Sequence, residues 1–209
     1  MNSRSTKKQS RFLIGIDEAG RGPLAGPVAV GAFAVKTPAA LRLFRGVKDS
    51  KQLSPKQREE WFGRILQAAT DGDAFYAVAF ARPETIDDRG LTYAIYSALN
   101  RALRRLERQV PSGAPIRDGR ILLDGSLYAS DRYLDQTTII DGDAKEPIIA
   151  LASICAKVLR DRRMKKLARE YPGYGFEIHK GYGTRAHYSA IRKRGLTPAH
   201  RRSFLKGIV

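Results

Sequence analysis

A chain of 209 residues with 43% hydrophobic content can bury one sizeable core, which excludes global disorder. Thirty-eight Lys and Arg against 21 Asp and Glu leave a net +17, a surplus that points to a polyanionic partner, most often nucleic acid, with a generally soluble basic surface as the plainer alternative. The lone cysteine, Cys155 in an apolar stretch, excludes a disulfide framework and suits a reducing cytoplasm, and no apolar run approaches the length that crosses a membrane.

Residues 1–11 (MNSRSTKKQSR) are polar and basic with no apolar signal region, so they read as a flexible tail. Arg11 to Ile16 (RFLIGI) reads as a short buried strand and Val28 to Val35 (VAVGAFAV) as a second, with a Pro- and Gly-rich turn between them. Ser54-Pro55-Lys56-Gln57 has the form of a helix start: Ser54 can cap, Pro55 suits the first helical position and Gln57 closes a capping box. That helix should run to about Thr70. Phe75 to Ala81 (FYAVAFA) is another strand. Leu91 to about Arg108 places Leu91, Ile95, Ala98, Leu99, Ala102 and Leu106 on one side of a helix. Gln109 to Asp118 reads as a loop, and Ile121 to Leu123 and Gln136 to Ile140 as short strands. Pro147 opens a long helix to about Glu170. Tyr171 to Gly183 is rich in Gly and Tyr and reads as a loop, followed by a helix over Arg185 to Arg194. Strands first, then alternation with helices, predict an α/β fold: a mixed sheet flanked by helices, with a helical basic C-terminal region over about 147–209. Residues 12–209 should form one domain. From Lys157 to Val209 fifteen Lys and Arg meet only three acids, Asp161, Glu170 and Glu177, a net +12. Most of the excess charge is therefore concentrated, as a binding surface requires.

Three acidic stretches follow apolar runs. Asp17-Glu18 ends the first strand and leads into Gly20-Arg21-Gly22; Asp124 follows Leu122-Leu123; Asp141-Gly142-Asp143 follows Thr138-Ile139-Ile140. Each alone reads more simply as a turn cap or a solvated acid. Buried carboxylates are costly unless a cation or hydrogen bonds compensate, and strand ends are where α/β folds place ligands. Glycines also let backbone N–H groups approach a phosphate or sugar, with Arg21 adding a charged fork. If the three strands converge, their all-oxygen donor set suits Mg²⁺ or Mn²⁺ and not zinc. His179, His187 and His200 have no zinc spacing and read as structural or phosphate-side residues. Two such cations can activate a water and stabilise the leaving oxygen of a phosphodiester. On the long helix Ser153 and Lys157 share a face, four residues apart, which by itself is ordinary polar exposure. His179-Lys180-Gly181-Tyr182-Gly183-Thr184 suits stacking on a sugar or base, or a Tyr-anchored structural loop. His200-Arg201-Arg202-Ser203-Phe204 is a basic patch, either a phosphate contact or a solvated face.

Taken together, GIDEAGRGPLAGPV, DSKQL, LLDG, GDAK, ASICAKVLRDR, YPGYGF, HKGYGT and HRRSF resemble, in order from about Phe12 to Phe204, bacterial ribonuclease HII of the type 2 ribonuclease H family. The resemblance implies a ribonuclease H-like fold and a Mg²⁺- or Mn²⁺-dependent endonuclease, a cytoplasmic monomer acting in ribonucleotide excision repair. It implies cleavage on the 5′ side of ribonucleotides in RNA–DNA hybrids, or singly embedded in duplex DNA, by two-metal-ion catalysis that leaves 3′-hydroxyl and 5′-phosphate ends. The family's four catalytic, metal-binding acids fall on Asp17, Glu18, Asp124 and Asp143. Its loop gripping the ribose 2′-OH falls on Gly20, Arg21 and Gly22, and its junction-sensing tyrosine on Tyr182. Lys51, Ser153, Lys157 and Lys180 lie in the matching substrate-side motifs. The chain departs from the family pattern at Asp141, where a Lys is usual, at Gln52 and at Gly90. An acid at 141 either alters metal affinity or moves charge outward.

Overall fold

The computed structural model describes residues 12–110 and 115–207. The expected basic tail, the strand start at Arg11 and positions 111–114 of the expected Gln109–Asp118 loop lie outside the described residues. Five strands, β1 (Leu13–Ala19), β2 (Val28–Val35), β3 (Ala74–Ala81), β4 (Arg120–Asp124) and β5 (Gln136–Ile139), form one sheet in the order β3-β2-β1-β4-β5. The first three strands are antiparallel neighbours, and β4 and β5 run parallel to β1. The helices are α1 (Pro55–Thr70), α2 (Pro83–Arg89), α3 (Leu91–Glu107), α4 (Gly142–Lys145), α5 (Pro147–Glu170), α6 (Phe176–His179) and α7 (Arg185–Arg194). This is the mixed α/β sheet flanked by helices that the sequence led us to expect.

The period-2 alternation of the strands sorts side chains between two cores. Ile14, Ile16, Val28, Val30, Ile121 and Leu123 pack with Ala98, Leu99 and Leu103 of α3 on one face. Ala29, Phe33 and Leu122 pack with Ile148, Ile149, Ala152 and Cys155 of α5 and with Phe62 and Ile65 of α1 on the other. All eight residues of β2 are buried, as a strand covered on both faces must be. A third cluster joins Leu24 and Ala25 to Met164 and Leu167 of α5 and to Phe176 and Ile191, seating the C-terminal region on the far end of α5.

Gly15 and Gly31 make the contact between α5 and the sheet possible. A Cβ on Gly15 would stand 2.1 Å from the Ile148 carbonyl oxygen, and one on Gly31 would stand 2.3 Å from that of Ala152. These carbonyls are one helical turn apart, so α5 lies with its main chain directly on the sheet. Gly31 is the cross-strand partner of Asp17; the same close approach therefore carries the helix to the acid.

At the β3 edge, Gln109, Arg105 and Arg101 donate to the carbonyls of Tyr76 (2.9 Å), Val78 (2.5 Å) and Phe80 (2.8 Å). Positions i, i+4 and i+8 on and just beyond α3 thus cover acceptors that an edge strand would otherwise offer to another chain.

The expected capping box is present: Gln57 N donates to Ser54 Oγ (3.2 Å) and Ser54 N to Gln57 Oε1 (2.8 Å). Ser54→Ala is expected to destabilise the protein by about 1 kcal/mol in urea unfolding, since one capping acceptor is lost; an unchanged midpoint would refute a role for the cap.

Several elements differ from expectation, α4 and the following three among them. The first strand does not stop at Ile16, because β2 continues to pair with it as far as Ala19↔Ala29; Asp17 and Glu18 lie inside the ladder. Helix α2 was not anticipated, because only Pro83 and Ile86 of its seven residues are buried and no apolar period shows. The Tyr171–Gly183 segment contains α6, a single turn between left-handed Gly175 and Lys180.

Candidate active site

Alternation along β1 puts Asp17 on the α5 face and Glu18 on the α3 face. Asp124 closes β4, one position beyond the Ile16↔Leu123 register pair, and so stands beside Asp17 on the same face. Asp143 arrives from α4. Gly142 N (2.7 Å) and Asp143 N (3.4 Å) donate to Asp124 Oδ1, which draws that turn against the strand end. A Cβ on Gly142 would meet Ile149 Cδ1 at 2.6 Å and Asp124 Oδ1 at 3.3 Å, so the turn is closely packed against α5 and the strand end. Asp17, Asp124 and Asp143 each bring one carboxylate oxygen within 4.8 Å of the others. Asp17 and Asp143 are both 4% exposed.

Such a cluster is uncomfortable without a cation. Burial, then the charges of Glu18 and Asp124, hold the Asp17 carboxyl well above the usual carboxylate range, although a Ser153 hydrogen bond opposes them. Burial also raises Glu18, against the pull of Arg21. Arg21 Nη1 donates to Glu18 Oε1 at 3.1 Å, whereas Glu18 Oε2 is the one buried side-chain polar atom among the described residues that has no hydrogen-bond partner. Asp143 Oδ2 takes 2.6 Å from the Lys51 ammonium, a bond that pushes Lys51 up to about 12. Clustered oxygens, an orphaned carboxylate oxygen and no nitrogen or sulfur donor in the group fit a hard divalent cation such as Mg²⁺ or Mn²⁺.

Not every expected acid joins the trio. Glu18 lies outside the group of three and is turned to Arg21. Asp141 is exposed, in the left-handed conformation (φ 54°) ahead of α4, and is not one of the three clustered acids.

The Gly20-Arg21-Gly22 loop is braced by two buried arginines. Arg201 donates to the carbonyls of Gly26 (3.0 Å), Arg21 (2.7 Å) and Gly20 (2.7 Å). Arg160 donates to Pro27 O (2.9 Å) and to Lys180 O (3.0 Å). Gly20 has φ 93°, and a Cβ there would fall 1.9 Å from Arg160 Nε. Arg201 was expected either to touch phosphate or to be solvated; it does neither, being fully buried with His200. The reason is local: five loop carbonyls accept from no backbone N–H among the described residues, and guanidinium forks satisfy them. Neither bracing role was read from the sequence. The available signal was Arg160 on the buried stripe of α5, four residues from both Ala156 and Met164. Asp87, which no sequence pattern marks, accepts from Arg202 N, Ser203 N and Ser203 Oγ and pins the C-terminal segment to α2.

Tyr182 is 47% exposed and lies beside the loop; a Cβ on Gly22 would be 3.8 Å from its ring. The remaining expected residues are more dispersed. Ser153 is buried, bonded to Ser50 Oγ (2.8 Å) and serving as a hydrogen-bond partner of Asp17. Lys157 pairs with Asp161 at 2.9 Å. Lys180 donates its ammonium to the Glu177 carbonyl.

The family model for ribonuclease HII matches residues 14–206. The chain belongs to the ribonuclease HII family. It is 43% identical over 205 residues to a ribonuclease HII of Coxiella burnetii, across 98% of this chain and 94% of that one. Among solved structures it resembles the ribonuclease H2 from Pyrococcus horikoshii OT3, with TM-score 0.71, 30% identity, and 94% and 96% of the two chains covered. The Bst-RNase HIII structure in complex with Mn²⁺ shares the fold at TM-score 0.65 and 24% identity, over 95% of this chain and 66% of that one. Family membership makes this protein a ribonuclease H-type nuclease that acts on nucleic acid, and the acidic cluster is its candidate divalent-metal centre. Among the described residues no helix is long and apolar enough to cross a membrane.

Proposed function

We propose that the chain, as one catalytic domain, hydrolyses the phosphodiester 5′ to ribonucleotides in RNA–DNA hybrids and at single ribonucleotides embedded in duplex DNA, leaving 3′-hydroxyl and 5′-phosphate ends. The observation that carries the reading is the convergence of Asp17, Asp124 and Asp143 next to the braced Gly20-Arg21-Gly22 loop and Tyr182. Asp17, Glu18, Asp124 and Asp143 would hold divalent cations, Mg²⁺ or Mn²⁺, whose chemistry is to activate water and to stabilise charge on the phosphodiester. Glu18 brings an unpartnered oxygen to that set. Ser153 keeps Asp17 oriented from beneath. Lys51, now the counter-charge of Asp143, can turn to substrate phosphate once a cation neutralises the acid, since its side chain is 74% exposed. Arg21 and the flanking glycines present donors to the ribose, whose 2′-OH separates RNA from DNA at one position. Tyr182 offers its ring face to the next sugar, and Lys157 and Lys180 add cations on the same side. The proposal extends to a cytoplasmic monomer working in ribonucleotide excision repair; the single buried cysteine suits a reducing compartment, and the basic C-terminal region suits a nucleic-acid substrate.

The test compares three duplexes of one sequence: all-DNA, DNA with one ribonucleotide, and an RNA–DNA hybrid. Nicking 5′ to the ribonucleotide in Mg²⁺ or Mn²⁺, none in EDTA, and none of the all-DNA duplex is the expected pattern. Binding of all three duplexes without cutting would overturn it in favour of a non-catalytic binding protein.

A further inference from the structure

All three histidines of the chain meet in one place, around the ring of Phe176. His179 and His187 stack at 4.4 Å, and His187 and His200 are 0% and 2% exposed. Their hydrogen bonds leave one proton assignment. Thr197 N donates to His200 Nδ1 at 2.9 Å, so that nitrogen is an acceptor and the His200 proton sits on Nε2. His200 Nε2 faces His187 Nε2 at 3.2 Å; the first therefore donates and the second accepts. The His187 proton then sits on Nδ1, which points at the Tyr182 carbonyl at 2.9 Å. His179 is likewise determined: Gly181 N donates to its Nδ1 at 3.1 Å, so its Nε2–H donates to Tyr174 O at 2.7 Å.

We propose that His200 and His187 form a neutral, one-directional relay that fixes the main chain of the Tyr182 loop, making His187 a positioning residue for substrate recognition. The relay runs from Thr197 N–H through His200 and His187 to the Tyr182 carbonyl, and His179 ties down Gly181 from the other side. Gly181 in turn accepts from Leu24 N at 2.8 Å, so the loop bearing Tyr182 and the loop bearing Gly20-Arg21-Gly22 share this support. A second proton on His200 Nδ1, His187 Nε2 or His179 Nδ1 would oppose a donor already aimed there. Burial, followed by the His187 charge, pushes His200 down to about 4, and burial lowers His187, so both stay neutral at pH 7.

This inference rests on Tyr182 reading the substrate, and the test separates the two. Nitrogen-15 NMR of the whole protein at pH 7 reports the tautomer of each of three imidazoles directly. The expected result is Nδ1–H for His187, the less common neutral form, and Nε2–H for His179 and His200. An Nε2–H or doubly protonated His187 overturns the relay whatever the activity. The kinetic arm compares His187→Asn, whose amide can still donate to the Tyr182 carbonyl, with His187→Leu, of similar shape and no donor. His187→Leu should fall about tenfold below His187→Asn in kcat/KM on the embedded ribonucleotide, the worth of one hydrogen bond. Equal rates overturn the relay. Tyr182→Ala is run alongside: full activity there defeats the recognition reading while leaving the tautomer result standing.

Discussion

Asp124→Asn is expected to lower cleavage at an embedded ribonucleotide by about three orders of magnitude, on the order of 4 kcal/mol, without unfolding the protein. Asparagine keeps the shape of the side chain and can still accept from Gly142 N through Oδ1, so the turn that presents Asp143 stays in place. What disappears is a full negative charge at the point where three carboxylates meet. Asp17→Asn should lose activity to a similar degree and, in metal-free protein, unfold at a higher temperature. The buried Asp17 carboxylate opposes folding, as its raised pKa records, and neutralising it removes that opposition. A gain in stability with a loss of cleavage separates a functional acid from a structural one. Full activity in either variant would remove these residues from the site.

Gly15→Ala is expected to be the most damaging methyl group that can be added to the sheet. Its Cβ would sit 2.1 Å from a main-chain oxygen of α5, and neither partner can rotate away. Overpacking of side chains costs about 1–3 kcal/mol, and a backbone clash should reach or exceed the upper end. For a protein of this size that corresponds to a fall in Tm of roughly 10 °C. Gly63→Ala is the control. Gly63 is exposed in the middle of α1 with nothing within 4 Å of an added Cβ, and alanine there should stabilise by up to about 1 kcal/mol. Equal Tm values for the two variants would mean that α5 does not rest on the sheet as closely as described. The clash also bears on function, because the turn of α5 that touches Gly15 and Gly31 leads directly into Ser153 and hence to Asp17.

The contrast between these two glycines shows what could be read from the chain alone. Gly15 and Gly63 look alike in sequence; only the crossing helix distinguishes them. The strands, the long helices and the α1 cap were legible because apolar spacing and capping chemistry are local signals. The end of β1 was not, since it is set by cross-strand pairing that continues to Ala19↔Ala29, and pairing is not a local signal. The convergence of Asp17 and Asp124 could be suspected from two acids after apolar runs, but the parallel pairing of β1 with β4 joins segments about a hundred residues apart. Glu18 standing outside the trio follows from alternation along β1, which depends on the strand continuing past Ile16. The burial of Arg201 is not legible in the chain, because its partners are carbonyls of Gly20, Arg21 and Gly26, and carbonyls leave no mark on sequence.

The central claim is that Asp17, Asp124 and Asp143 form a divalent-metal centre. Electron paramagnetic resonance of free Mn²⁺, titrated with the intact protein, measures it without reference to any substrate. The expected result is loss of the free-ion signal with wild-type protein, and a markedly weaker loss with Asp17→Asn, Asp124→Asn and Asp143→Asn at equal concentration. Identical titrations for wild type and all three variants would contradict the claim.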